Sequence, residues 1–266
     1  VYDVKIGESP LWMKRHLALV GMSSISNIVD ITNYVLKEIG QPMHAFDGSF
    51  LEGNEICVRR AKDAEKIITL DEQEYEMTTD NLVICDGVKP VALAGVMGGL
   101  NSEIRDTTES VIFESAKFAR DSVRKTARSL GKSTDASARY EKGVDEYSTV
   151  LGMKRALHLI EELQCGKVSS THIDINTGNS IEPTEMKVSI SKVNGVLGIT
   201  VPEEDIVRIM KNLDFAPSVN GDQLTIHVPA YREDMLPNGE NDVERYPDVA
   251  EEVIRMYGYD HIVPTF

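Results

Sequence analysis

A chain of 266 residues has room for one large domain or two smaller ones, and 41% hydrophobic with 27% charged residues is ordinary for a globular protein. No apolar run approaches the roughly 20 residues that span a bilayer, no leader-type segment opens the chain, and Cys57, Cys85 and Cys165 stand far apart without a paired motif, which excludes membrane, disulfide-scaffold and zinc-ribbon classes. A formal net charge of -15 argues against a general nucleic-acid binder, so the expectation is a cytoplasmic protein with no DNA or membrane partner, read as an excised piece because Val1 opens on mid-domain sequence.

The predicted elements begin at Ser9-Pro10, read as a cap and first-turn proline for a helix that stops at Gly21. Ile28, Ile31, Val35 and Ile39 then recur at helical spacing, with Ser26 or Asn27 as cap, Gly40 as left-handed stop and Pro42 barring continuation. Asp30, Asn33 and Lys37 lie off that apolar stripe. Residues 41–47, QPMHAFD, read as a short loop holding a histidine between apolar neighbours, a pattern that marks a pocket wall. Short β-prone runs follow at 56–60, 67–70, 82–85, 91–93 and 111–113, separated by turn residues. Residues 118–130 return to helical spacing, 147–163 form a further helix, and 173–175 read as a closing strand. Strands that cluster rather than alternate with helices predict an α+β domain, with small mixed sheets packed on helices, over residues 1–178.

The polar stretch NTGNSIEPT at 176–184 is read as a domain boundary. A second domain, 182–266, carries a strand at 186–190, helices at 191–197 and 202–213, and a hairpin turned by Asn220-Gly221. That order is winged-helix-like, a fold that elsewhere reads DNA grooves. Here the second helix starts Pro-Glu-Glu-Asp, which repels phosphate. Between 117 and 142 eight Lys/Arg face three acids, whereas from 182 onward seven face sixteen. A polyanion is tolerated near the first stretch and repelled by the last third.

On residue chemistry alone several positions have two readings. His44 is either a structural group beside Met43 and Phe46 or a neutral imidazole that orients a water or takes its proton. Gly95 to Gly99 match no phosphate-loop pattern and form either a positive-φ turn or a wall that lets backbone approach a ligand. Glu114 ends the strand Val-Ile-Phe and either caps the next loop or faces a pocket. Asp248, Glu251 and Glu252 share a helical face, with Asp234 upstream. They either complement a helix dipole after Pro247 or offer oxygens to a hard cation. No nucleophile constellation is visible.

VDITNYVLKEIGQPMHAFD, ALAGVMGGLNSEI, FESAKF, RKTARSLGKSTDASARYEKGVD, VPAYRED and AEEVIRMYGYDHI, in that order, resemble the editing module of the β subunit of bacterial phenylalanyl-tRNA synthetase. The resemblance covers essentially the whole chain. It implies an editing domain followed by a winged-helix-like module, in an (αβ)₂ enzyme whose α subunit charges tRNA(Phe) with phenylalanine using ATP. It implies that His44, Glu114, Thr134 and Ala136 form a pocket that hydrolyses mischarged Tyr-tRNA(Phe). Glu114 bonds the tyrosine hydroxyl there, Ala136 leaves room for the ring, and Thr32, Asn33, Gly98 and Gly99 contact substrate. Editing needs no cofactor, since water attacks the ester directly. The resemblance further implies Mg²⁺ held by Asp234, Asp248, Glu251 and Glu252 together with the α subunit, although the connection 235–247 is longer than the family's. The alternative is a noncatalytic tRNA- or partner-binding scaffold module of the same subunit. The energetics suit editing: an apolar phenylalanine pocket rejects one extra hydroxyl by only about 10², and a second pocket that demands the hydroxyl adds roughly 10⁴.

Overall fold

In the computed structural model, which describes residues 1–176, 182–235 and 245–263, the apolar stripe of the central helix is what the first part of the chain packs around. Helix α1 (Leu11–Leu19) precedes helix α2 (Asn27–Ile39), which buries Ile28, Ile31 and Val35 completely and ends at Gly40 with φ 90°. Asp30 is also fully buried. It accepts hydrogen bonds from the Ser9 hydroxyl (2.5 Å), the Ser24 hydroxyl (2.5 Å) and the Ile25 amide (2.8 Å), enough partners to offset its desolvation. Ser9 therefore does not cap α1, whose N-cap position is Pro10 and carries no side-chain cap.

Residues 41–47 are not a loop. Strand β1 (Met43–Asp47) pairs antiparallel with a strand more than sixty residues away, and that tertiary pairing leaves no local signal. The following four-stranded sheet comprises β2 (Cys57–Arg60), β5 (Leu82–Cys85), β6 (Pro90–Leu93) and β7 (Met97–Gly98), in that order. Beside it, β3 (Glu65–Ile68) and β4 (Glu74–Met77) make a hairpin. β4, rich in glutamate, and β7, two residues long, are too weak or short to be read from propensity. β8 (Val111–Ser115) is the partner of β1 and runs two residues past the expected end.

The expected helix at 118–130 is α3 (Arg120–Ser129), and a separate helix, α4 (Asp135–Lys142), follows. Helix α5 (Glu146–Glu162) packs on α2 and buries Ala156, Leu159 and Ile160. Residues 173–175 form no strand: Ile173 and Ile175 are 90% and 83% exposed, and Lys167 bridges Tyr2 earlier in the chain.

The chain divides into two units, Val1–Asn179 and Ser180–Phe266. In the second, β9 (Thr184–Ser189), α6 (Ile190–Leu197), α7 (Glu203–Asn212), β10 (Ser218–Asn220), β11 (Gln223–Val228) and α8 (Tyr246–Tyr257) follow in order. The sheet runs β10-β11-β9, all antiparallel, with Gly221 at φ 60° in the hairpin turn. α8 closes a core of Val193, Ile206, Met210, Phe215, Leu224 and Val253 against α6 and α7. The architecture is α+β with small antiparallel sheets. Parts of the boundary 176–184 and of the connection 235–247 lie outside the described residues.

Candidate active site

The β1–β8 ladder sets the site. His44 and Glu114 are direct cross-strand partners, so both side chains leave the ribbon on the same face. They enter one small pocket, whose lining also includes Met43, Met97, Gly98, Ala136 and Tyr140. Part of each residue is solvent-accessible, but the functional groups are walled in. The His44 Nε2 atom is buried without a hydrogen-bond partner, and burial holds the imidazole down at about 4. Burial pushes the Glu114 carboxyl up to about 7. Near neutral pH the site therefore holds a neutral imidazole opposite a carboxyl poised to ionise.

The neighbours fix those two groups. The His44 ring stands edge-on to Phe46 with centroids 4.6 Å apart. On its other side it lies over Gly98, where a Cβ would sit 2.3 Å from Cε1 and 2.5 Å from Nε2. Only glycine leaves room for the imidazole there. Gly99 is required for a different reason: a Cβ would come within 2.6 Å of the Val91 carbonyl oxygen.

Thr134 acts from behind the wall. Its hydroxyl donates to the Val96 carbonyl (2.8 Å) and accepts from the Ser137 amide (3.1 Å), within a capping box that starts α4. It thereby fixes the helix that presents Ala136 and, one turn on, Tyr140. The Tyr140 hydroxyl donates to the Ala116 carbonyl (2.9 Å), which also accepts from the amide of fully buried Gln41 (2.9 Å). Both bonds anchor the chain two residues beyond Glu114. Nothing in the sequence marks Tyr140 or Met97 as pocket residues; the spacing of Ala136 and Tyr140 becomes informative once α4 is known.

The structure brings His44, Glu114, Ala136 and Gly98 together and leaves Thr32 and Asn33 out of the pocket lining. Thr32 is buried on α2 with its hydroxyl donating to the Val29 carbonyl (2.7 Å). Asn33 is half-buried one turn before Lys37, whose ammonium meets Asp135 at 3.0 Å beside Ala136. Away from the pocket interior, α3 exposes Arg120, Arg124, Lys125 and Arg128, and α4 exposes Arg139 and Lys142.

The acids of the second unit are differently employed. The Arg232 guanidinium holds Asp234 (3.0 and 2.7 Å) and Glu252 (2.9 Å), Arg255 also pairs with Glu252, and Arg245 stands 3.4 Å from Asp248. Glu251 is exposed. Among the described residues no three acidic, histidine or cysteine side chains gather as a metal cage. A cation would have to displace Arg232, so within the described residues the donor set does not fit a resident metal ion.

Residues 1–165 match the B3/4 domain family, and residues 186–259 match the tRNA synthetase B5 domain. The chain is 43% identical over 265 residues to a phenylalanine–tRNA ligase beta subunit of Syntrophus aciditrophicus, an alignment covering 98% of the chain and 32% of that protein. The like-named protein of Oceanobacillus iheyensis is also 43% identical, over 100% of the chain and 32% of its own length. The chain thus spans about a third of the length of these relatives. A solved N-terminal fragment of the phenylalanyl-tRNA synthetase beta subunit from Pyrococcus horikoshii covers 87% of the chain and 65% of its own. It is 14% identical, with a TM-score of 0.41.

Proposed function

The chain belongs to the B3/4-domain family of phenylalanine–tRNA ligase β subunits, and from that premise we propose that its first unit hydrolyses the ester of tRNA(Phe) mischarged with tyrosine. The observation that carries this reading is the opposed pair His44 and Glu114, both desolvated and both facing one pocket. A neutral imidazole with an unsatisfied buried nitrogen can position the attacking water through Nε2 as the ester carbon becomes tetrahedral. Glu114 receives the phenolic hydroxyl. A ring without that hydroxyl leaves the carboxyl unpaired, which costs about 1–3 kcal/mol or more when it is ionised. Gly98 keeps the imidazole in place, and Ala136 leaves the ring its volume. The exposed cations of α3 and α4 suit the phosphates of the RNA strand that delivers the ester.

The wider proposal follows the relatives' names. As a β subunit the chain would work with an α subunit, in an (αβ)₂ cytoplasmic enzyme that charges tRNA(Phe) using ATP. Arginines hold the acids expected to share magnesium with that partner, so no step here runs through a metal ion. Tyrosine release from mischarged tRNA, measured with this chain, with a His44→Ala variant and in buffer alone, tests the hydrolytic role. The wild type should release tyrosine well above buffer and the variant should not. Equal rates in all three would leave only a binding module.

A further inference from the structure

Two cysteines far apart in sequence are direct partners in the fold. Cys57 on β2 stands opposite Cys85 on β5 in the antiparallel register. Such residues hold their Cα atoms about 4.5–5.5 Å apart with side chains on one face, inside the roughly 4.4–6.8 Å range that a disulfide accepts. Both are free thiols, Cys85 buried and Cys57 half-buried. Arg59, two residues along β2 and on the same face, brings its guanidinium within electrostatic reach of both sulfurs. Its geometry is fixed by two bonds to Glu65, at 2.8 and 2.7 Å.

We propose that Cys57 and Cys85 form a peroxide-responsive dithiol site, with Cys57 as the thiol attacked first and Cys85 as the thiol that resolves it. The Cys57 thiolate attacks one oxygen of a hydroperoxide and breaks the O–O bond. The departing alkoxide takes a proton and leaves as the alcohol, and Cys57 becomes a sulfenic acid. The Cys85 sulfur then attacks the Cys57 sulfur, the S–S bond forms, and hydroxide leaves with the Cys85 proton as water. Two thiols lose two electrons in all, and the hydroperoxide takes them up. The order follows access, since only Cys57 reaches the surface. Burial also pushes the Cys85 thiol up, which disfavours it as the first attacker. The bridge would tie β2 to β5 in the sheet whose far strands carry Ala92, Leu93, Met97 and Gly98 of the pocket. Cys165 packs in a different core cluster and serves as an internal control.

The test treats the whole chain with hydrogen peroxide, blocks remaining thiols and maps peptides without reduction. The expected result is one linked pair joining the Cys57 and Cys85 peptides, lost on adding dithiothreitol, with Cys165 still free to alkylate. In Cys85→Ser the linked pair should vanish and Cys57 should be trapped by dimedone as a sulfenic acid. The wild-type map decides even where a serine variant folds poorly. Recovery of Cys57 and Cys85 as unlinked peptides, whether free thiols or sulfinic acids, or links shared equally with Cys165, overturns the proposal.

Discussion

His44 and Glu114 make opposite demands on pH. Glu114 ionises near 7 when folded against 4.5 in an open chain, so between those values the unfolded state has lost its proton first. Its contribution to stability therefore falls as pH rises from 4.5 through 7. His44 titrates near 4 against 6.5, so the unfolded chain binds the extra proton and stability falls as pH drops from 6.5 through 4. Each shift corresponds to about 3 kcal/mol at full development. Glu114→Gln should therefore match the wild type in stability at pH 4 and exceed it above pH 7, by up to about 3 kcal/mol, in denaturant titrations. An unchanged difference across that range would place the carboxyl in solvent. Gly98→Ala makes a second residue-scale prediction. The added methyl displaces the imidazole, and a misplacement of about 1 Å costs on the order of 10²-fold in rate. Circular dichroism should show the fold retained while Tyr-tRNA hydrolysis drops by that factor. Neither the desolvation of His44 nor its contact with Gly98 is legible in the sequence, because more than fifty positions separate the two residues.

Among the elements, α2 was readable because its stripe, its glycine stop and its proline all agree. β1 reads as loop in the sequence because Gln-Pro before it is loop chemistry and its partner strand lies far along the chain. α4 leaves little trace in the sequence because eight residues are too few for a periodic signal, although Ser133-Thr134-Asp135 holds its cap. That cap is testable. Thr134→Val removes both the bond to Ser137 and the bond to the Val96 carbonyl, and loss of an N-cap alone costs about 0.5–2 kcal/mol. Thr134→Ser should keep both bonds and restore stability and hydrolysis together. If valine leaves melting and rate unchanged, the helix start is held by something else.

Across the whole chain, charge divides the labour. The composition announced an acidic protein, and the structure leaves the cations of α3 and α4 exposed while arginines in the second unit are engaged with acids. tRNA binding by this chain should therefore be weak and should fall steeply with salt. Millimolar Mg²⁺ should leave its melting temperature unchanged, since Arg232 already neutralises Asp234 and Glu252; a clear rise would show that the arginines yield to the ion. The central claim is that Glu114 reads the tyrosine hydroxyl, and it is tested most directly by deacylation of Tyr-tRNA and Phe-tRNA in a synthetase carrying this chain with Glu114→Ala. A hydrogen bond to a charged group is worth about 1.5–3 kcal/mol, so Tyr-tRNA hydrolysis should slow roughly 10- to 150-fold and the preference over Phe-tRNA should collapse, with phenylalanine charging unaffected. Wild-type hydrolysis with an unchanged preference would contradict the account.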